Sequence, residues 1–170
     1  DKVWTLGTHT ESKWDKWDAD FELAYQWGDF ADLDHTAWML HVGGGYSPDW
    51  MMASRFGVAV NWATGDDNIL DGDHGTFDNL YPLGHAHNGY MDFFAFQNMR
   101  NLEVTFEKKM LEKGKLRVAW HMFWLDEEED DFWYSANMAP FAFVGAGAED
   151  DAGNEINVTF EYPFWNDRIV

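Results

Sequence analysis

Six stretches of this 170-residue chain alternate strictly between apolar and polar residues, and each apolar row is large, aromatic-rich and almost free of charge. In Leu116–Trp124 one row reads Leu116, Val118, Trp120, Met122, Trp124, against Arg117, Ala119, His121 and Phe123. In Glu155–Phe164 the rows are Ile156, Val158, Phe160, Tyr162, Phe164 against Glu155, Asn157, Thr159, Glu161. Side chains of a strand point to opposite faces with period two, so each stretch has one greasy and one wet face. Two architectures want that pattern. A soluble sandwich buries its apolar rows against each other, whereas a transmembrane β-barrel turns them to lipid and lines its lumen with the polar rows.

Strand length favours the barrel. Nine to eleven tilted residues cross a bilayer, which these stretches match, and soluble strands average nearer five or six. Aromatics make up 18% of the chain, with 11 Trp, more than a soluble core of this size needs; Trp and Tyr gather at membrane interfaces. Trp14 and Trp17 stand where such a girdle would lie. The polar rows hold Asp20, Glu22, Gln26, Arg55, Asn61, Glu103, Glu107, Arg117, His121, Glu155 and Glu161, mostly long and of mixed sign, as a lumen requires.

The net charge of −20 argues against nucleic acid, whose phosphates demand Lys and Arg, and against docking on an anionic membrane surface. It suits a cation-attracting surface or an acidic pore. With no cysteine, disulfides, thiolate metal sites and cysteine nucleophiles are excluded. No apolar run is long enough for a membrane helix, so any crossing must be β. No basic-plus-apolar leader stands at Asp1, so either a signal peptide has been removed or the chain begins inside a longer one.

Along the chain the expected strands are Val3–Ser12, Ala19–Trp27, Thr36–Tyr46, Arg55–Ala63, Asn101–Leu111, Lys115–Leu125 and Glu155–Phe164, with Asp167–Val170 opening another. Short polar turns between them favour an antiparallel meander. Gly43-Gly44-Gly45 suggests a bend or bulge in the third strand. Thr64–Arg100 and the stretch from Asp126 to Gly153 lack a period; loops this long carry function or constrict something. About seven strands are too few for a free-standing barrel. The expectation is one domain over 1–170, part of an outer-membrane β-barrel, with a long loop at about 64–100.

The loop holds Gly65-Asp66 after a strand, then Thr76-Phe77-Asp78-Asn79-Leu80-Tyr81-Pro82, His85, Gly89, Asp92 and Asn98. With Glu22, Tyr25-Gln26 and Gly28 upstream and Asn154-Glu155-Ile156 downstream, this order and spacing resembles the alginate-export family of outer-membrane porins. The resemblance covers most of the chain and matches the C-terminal portion of the barrel. It implies an all-β, antiparallel barrel of about eighteen strands in the bacterial outer membrane, passing anionic polysaccharide or other solutes. A polyuronate conduit would present Arg and Lys to its cargo, whereas the inward rows here are mainly acidic, with Arg55, Arg117 and Lys108 as the candidate cations.

Glu103, Glu107, Glu155, Glu161, Arg55, Arg117 and His121 are the candidate pore-lining residues. Phe77, Asp78, Pro82, His85, Gly89, Asp92 and Asn98 form the loop motif, in which His85 and Asp92 shape the loop while Pro82 and Gly89 set its turns. Asp66, Asp67, Asp71 and Asp73, with Asn68 and Gly72 among them, crowd hard oxygen ligands, so Ca2+ is the candidate ion against a plain solvated acidic loop. His85 and His87, with His74 and Asp92, pose a zinc or copper alternative to a hydrogen-bonded loop. Asp126–Asp131 reads as a solvated run, within reach of divalent ions and lipopolysaccharide; a selectivity role requires it to fold inward.

No nucleophile elbow, Walker loop or dinucleotide fingerprint is present, and no catalytic function is called for. No cofactor is expected beyond Ca2+. The leading reading is an outer-membrane porin selecting by pore size and lumen charge. Its partners are membrane lipid and lipopolysaccharide, small solutes or polysaccharide, and periplasmic or cell-surface proteins, as in a sheath for a redox chain. The alternative is a soluble Trp-rich β-sandwich binding carbohydrate, with calcium. The two differ in whether the rows through Trp120 and Phe160 face lipid or each other.

Overall fold

The computed structural model describes residues 2–81, 87–130, 132–134, 140–143 and 149–163, the two short pieces by their backbone. Pro82 and His85 of the loop motif, Asp131 of the acidic run and the strand expected over Asp167–Val170 lie outside these residues. The strands are β1 (Lys2–Trp14), β2 (Trp17–Phe30), β3 (Leu33–Tyr46), β4 (Ser54–Ala63), β5 (Asp73–His74), β6 (Met99–Met110), β7 (Gly114–Trp124), β8 (Phe132–Tyr134), β9 (Pro140–Phe143) and β10 (Asp151–Glu161). The main sheet runs β1-β2-β3-β4-β6-β7-β10, with β5 added parallel to β3; β8 and β9 pair separately.

Every other pairing is antiparallel, across the short turns and across the two long connections, β4 to β6 and β7 to β10, alike. β2 and β3 outrun their expected limits because the turn between them shrinks to Ala31 and Asp32, both at positive φ. That is the backbone that matches the twist of a two-residue hairpin. The expected bulge at Gly43-Gly44-Gly45 is absent: β3 stays in continuous register with β2 and β4 through all three glycines. Among the antiparallel ladders of the main sheet the one break is in β10, between Asp151 and Gly153.

Burial decides between the two architectures. On β10 the apolar Ile156 and Val158 are 70% and 66% exposed, while the polar Glu155 and Asn157 are 6% and 9% exposed. The same inversion runs through the sheet: Trp27, Val42, Val58, Val60, Val104 and Trp120 are exposed, while Gln26, Asn61, Asn101, Thr105 and His121 are buried. A soluble sandwich would show the reverse. The expected transmembrane-barrel wall is therefore the observed one, and among the described residues the sheet is open, with β1 and β10 as its edges.

Register also orders the outer face into lateral bands. Trp14, Trp17, Tyr46, Phe56 and Phe106 fall in one row across five strands, and Trp17 and Tyr46 pack with ring centroids 4.5 Å apart. Next come Ala19, Gly44, Val58, Val104, Trp120 and Ile156, then Phe21, Val42, Val60, Leu102 and Met122. Trp38, Trp62 and Trp27 stand toward the other end. From Trp17 to Trp27 the chain rises about 33 Å at ~3.3 Å per residue, which at the usual tilt gives roughly the 25 Å apolar band of an outer-membrane barrel.

Replacing mid-strand Val104 by Arg places a guanidinium in that band and should lower stability in lipid vesicles by about 2–4 kcal/mol. Denaturant unfolding of the vesicle-inserted protein measures this. A Val104→Arg protein as stable as wild type would show that this face does not meet lipid.

Candidate functional site

The inner face is a stack of lateral rows set by the same register. Arg55, Glu107, Arg117 and Thr159 form one, followed by Asp18, Gly45, Gly57, Thr105, Ala119 and Asn157. Above them lie Asp20, Gly43, Ala59, Glu103, His121 and Glu155, then Glu22, His41, Asn61, Asn101 and Phe123. All seven candidate pore-lining residues share this face, Glu161 at the strand end opposite Lys115. Lys108 does not: it has the parity of Phe106 and Val104 and falls on the outer row.

Arg55, Arg117 and Lys115 of this wall are held by carboxylates. Arg55 Nε donates to Asp18 Oδ2 at 2.9 Å, reaching across β3. Its path explains Gly45, where a Cβ would collide with the guanidinium; at Gly43 it is the Asp20 carboxylate that leaves no room, a Cβ there lying 2.6 Å from Asp20 Oδ2. Arg117 pairs with Glu103 and approaches Glu107 at 3.7 Å, and Lys115 reaches Glu107 at 3.1 Å. His41 sits between Asp20 and Asn61, and Asn61 Nδ2 donates to Asn101 Oδ1 at 3.0 Å. His121 Nε2 lies 3.8 Å from Glu103, and its ring stacks on Phe123. Asp18, His41 and Asn101 were not among the expected site residues, although their parity with Arg55 and Glu103 marked them.

The next row, Ala24, Met39, Ala63 and Met99, is small and apolar in an otherwise polar face. It forms the floor on which the loop between β4 and β6 docks. Phe77, Phe94 and Phe96 of the loop pack with Ala37, Met39, Ala63, Met99 and Phe123 into one buried cluster, and Phe94 stacks on Phe123 at 4.3 Å. The loop thus lies against the inner wall. Gln26 clamps it, donating to Asp78 O and accepting from Asp78 N, both at 2.8 Å.

The motif positions explain themselves through backbone and contact. Gly89, Asp92 and Asn98 all have positive φ, which a left-handed turn requires and which glycine or Asx residues best tolerate. Gly89 also packs directly on the Glu155 carboxylate, whose Oε1 accepts the Met91 N–H at 3.0 Å. Glu155 is therefore covered by the loop. Asn98 Oδ1 accepts the amides of Asp126 and Glu127 at 3.1 and 2.8 Å.

The acidic run is not a plain solvated one: Asp126 and Asp130 are buried. Asp126 accepts from Trp62 Nε1, Gly65 N and Arg100 Nε, while Asp130 accepts from Asp66 N and the Thr76 hydroxyl. Burial first, and then the adjacent Asp126, push the Glu127 carboxyl above its ordinary range. Nothing in the spacing of a six-residue charge run tells which members turn inward; the donors that need them lie 26 to 64 residues away.

The calcium candidates are not gathered. Asp66 uses its oxygens on the amides of Asn68 and Gly75, Asp71 accepts from Asp73 N, and Asp67 is exposed. Among the described residues no three His, Asp or Glu side chains converge as metal ligands. The histidines also part company. His74 meets His35, Nδ1 to Nδ1 at 2.9 Å, and stacks on Phe30, whereas His87 packs near His41 and Phe96.

Burial first, and the neighbouring His35 ring second, hold His74 below the ordinary histidine range, against the pull of Asp66 and Asp78. The folded state thus prefers neutral His74. Its contribution is full above the unfolded value of about 6.5 and is lost as pH falls from there through the lowered folded value. Protease sensitivity of the 69–76 segment should rise between pH 7.5 and 5.5, and His74→Phe should abolish that rise. Asp126→Ala strands several buried donors, at about 1–3 kcal/mol for each one left unsatisfied. It should speed protease cleavage within the loop while the sheet's circular dichroism persists; unchanged cleavage would mean the anchor is dispensable.

A search of curated proteins found no match to the chain. A family model described as alginate export matches residues 1–168, nearly the whole chain. That family comprises outer-membrane export channels rather than enzymes. On this match, and with its lipid-type outer face and loop-lined inner wall, the chain belongs to the alginate export family.

Proposed function

We propose that this chain builds part of the wall of an outer-membrane channel that passes polysaccharide or small solutes, selecting by pore width and lumen charge without covalent chemistry. The observation that carries the reading is the inversion of faces, with apolar rows outward and a polar inner wall onto which a long loop folds. In a closed barrel no edge is left open to lipid, so β1 and β10 would each pair with a further strand. The loop Thr64–Asn98 would narrow the lumen as a fixed brace, because it is tied at Gln26, Asn98, Asp126 and Asp130 and packed on its own aromatic cluster.

Charge selection would come from the inner rows. Glu103 and Glu107 are tied to Arg117 and Lys115, so they set the local balance as members of pairs rather than as free charges. Glu155 supports the loop, and Glu22 stands on the same wall without an ion-pair partner among the described residues.

Full-length protein in planar lipid bilayers should give discrete conductance steps with a cation-preferring reversal potential in a KCl gradient. Glu103→Lys should shift that potential toward anions. Protein that stays monomeric in solution without detergent and gives no steps would overturn the channel reading.

A further inference from the structure

One row of the inner wall gathers histidines around a single carboxylate. Strand register sets His9, Glu22 and His41 side by side on β1, β2 and β3, and side chains so opposed stand about 5 Å apart at their Cβ atoms. From the other side the loop lowers His87 toward them, its ring 6.3 Å from His41 and 5.9 Å from Phe96. All four line a cavity of about 1010 Å3 between the inner wall of β1–β3 and the underside of the loop.

The neighbouring charges are mostly committed. Asp18 is held by Arg55, Asp20 lies against His41, and Glu11 stands 3.6 Å from His9. His41 is occupied by Asp20 and Asn61. Lys13 is the one permanent cation among the described lining residues. Glu22 is exposed and has no ion-pair partner among the described residues. A free carboxylate in a confined space with low-dielectric walls has a focused field. At 0.1 M salt that field persists over about 10 Å.

Histidine is the side chain that changes its charge between pH 5 and 8, and here it flanks Glu22 within the wall and from the loop. Burial first, and then His41, hold His87 below the ordinary histidine range, against the pull of Glu22, Glu103 and Asp20. His87 is therefore neutral at pH 7.5 and gains its charge only below about 6.5.

From this arrangement we infer that Glu22 is the charge-selecting residue of the passage, and that His9 and His87 make its selection respond to pH. The inference rests on the channel reading and names the residues that set and regulate its charge preference. With both histidines neutral, the free carboxylate favours cations. With both protonated, His87 offsets Glu22 from the loop side and His9 offsets Glu22 and Glu11 from β1, so an anionic chain meets less repulsion on its way past the loop.

The test is the reversal potential of the full-length protein in planar bilayers under a KCl gradient, at pH 7.5 and pH 5.0. The preference for K+ over Cl− should fall about twofold or more on acidification. Glu22→Gln should lower that preference already at pH 7.5. His9→Asn and His87→Asn should each reduce the acid-driven fall, and the double variant should remove most of it. Should His87→Asn fail to insert, His9→Asn, on the exposed inner face of β1, carries the same test. His74→Phe, outside the cavity, should keep the full fall. A wild-type preference that does not change with pH, a fall insensitive to the His9 and His87 substitutions, or an unchanged preference in Glu22→Gln overturns the inference. Loss of the fall in His74→Phe overturns it as well, because release of the 69–76 segment would then be the cause. Absence of any conductance overturns the channel reading instead, so the two failures are distinguishable.

Discussion

The parity of the antiparallel register governs this structure. A slip of one residue in any ladder would turn every side chain of that strand to the other face. From β1 to β7 the pairing runs without interruption, so each residue faces the side its neighbours across the sheet require. That parity aligns Trp17, Tyr46, Phe56 and Phe106 into one outer row, and Asp20, Glu103, His121 and Glu155 into one inner row. Where the ladder does break, between Asp151 and Gly153, it does so at the end of β10 nearest the loops. In lipid such continuity is obligatory, since an unpaired backbone amide there has no water to turn to.

The inner wall builds on that frame by mixing charge with absence of bulk. Gly45 and Gly57 clear a shallow channel through which Arg55 reaches Asp18 two strands away. A row of Ala and Met a few residues further on gives the loop an apolar seat, so the loop carries its own small core into the lumen. The result is a brace rather than a flap: its backbone is closed by Thr64, its two ends meet at Asn98, and two aspartates of the following loop accept its amides. The carboxylates that accomplish this, Asp126 and Asp130, are thereby withdrawn from the lumen's charge. Formal net charge therefore overstates how acidic this wall is.

The alternating rows, strand order, loop position and family motif are all legible in the sequence, because each is local or periodic. The rows around Trp120 and Ile156 announce two faces whatever surrounds them. The composition of those rows, with strands of bilayer length and aromatics at their ends, already leaned toward lipid. The loop motif was legible as a motif, and Gly89, Asp92 and Asn98 prove to be the positions where the backbone turns left-handed. What escaped that reading was pairwise and long-range. Gly43-Gly44-Gly45 suggested a bend or bulge because glycine weakens a strand; the Asp20 carboxylate over Gly43 and the Arg55 guanidinium over Gly45 come from the neighbouring strands. The aspartates of the Asp66–Asp73 segment suggested a calcium loop, yet Asp66 and Asp71 spend their oxygens on nearby amides.

By itself, then, the sequence determined the period-two strands, their greasy and wet faces, and the loop that interrupts them, since these follow from side-chain type and the pleat. Only the tertiary structure decided which carboxylates stand on the inner face and which are consumed as anchors. The reason is physical: a carboxylate's role depends on the donors brought to it, and the Trp62 ring, the Gly65 amide and the Arg100 guanidinium reach Asp126 only once the sheet has placed them there.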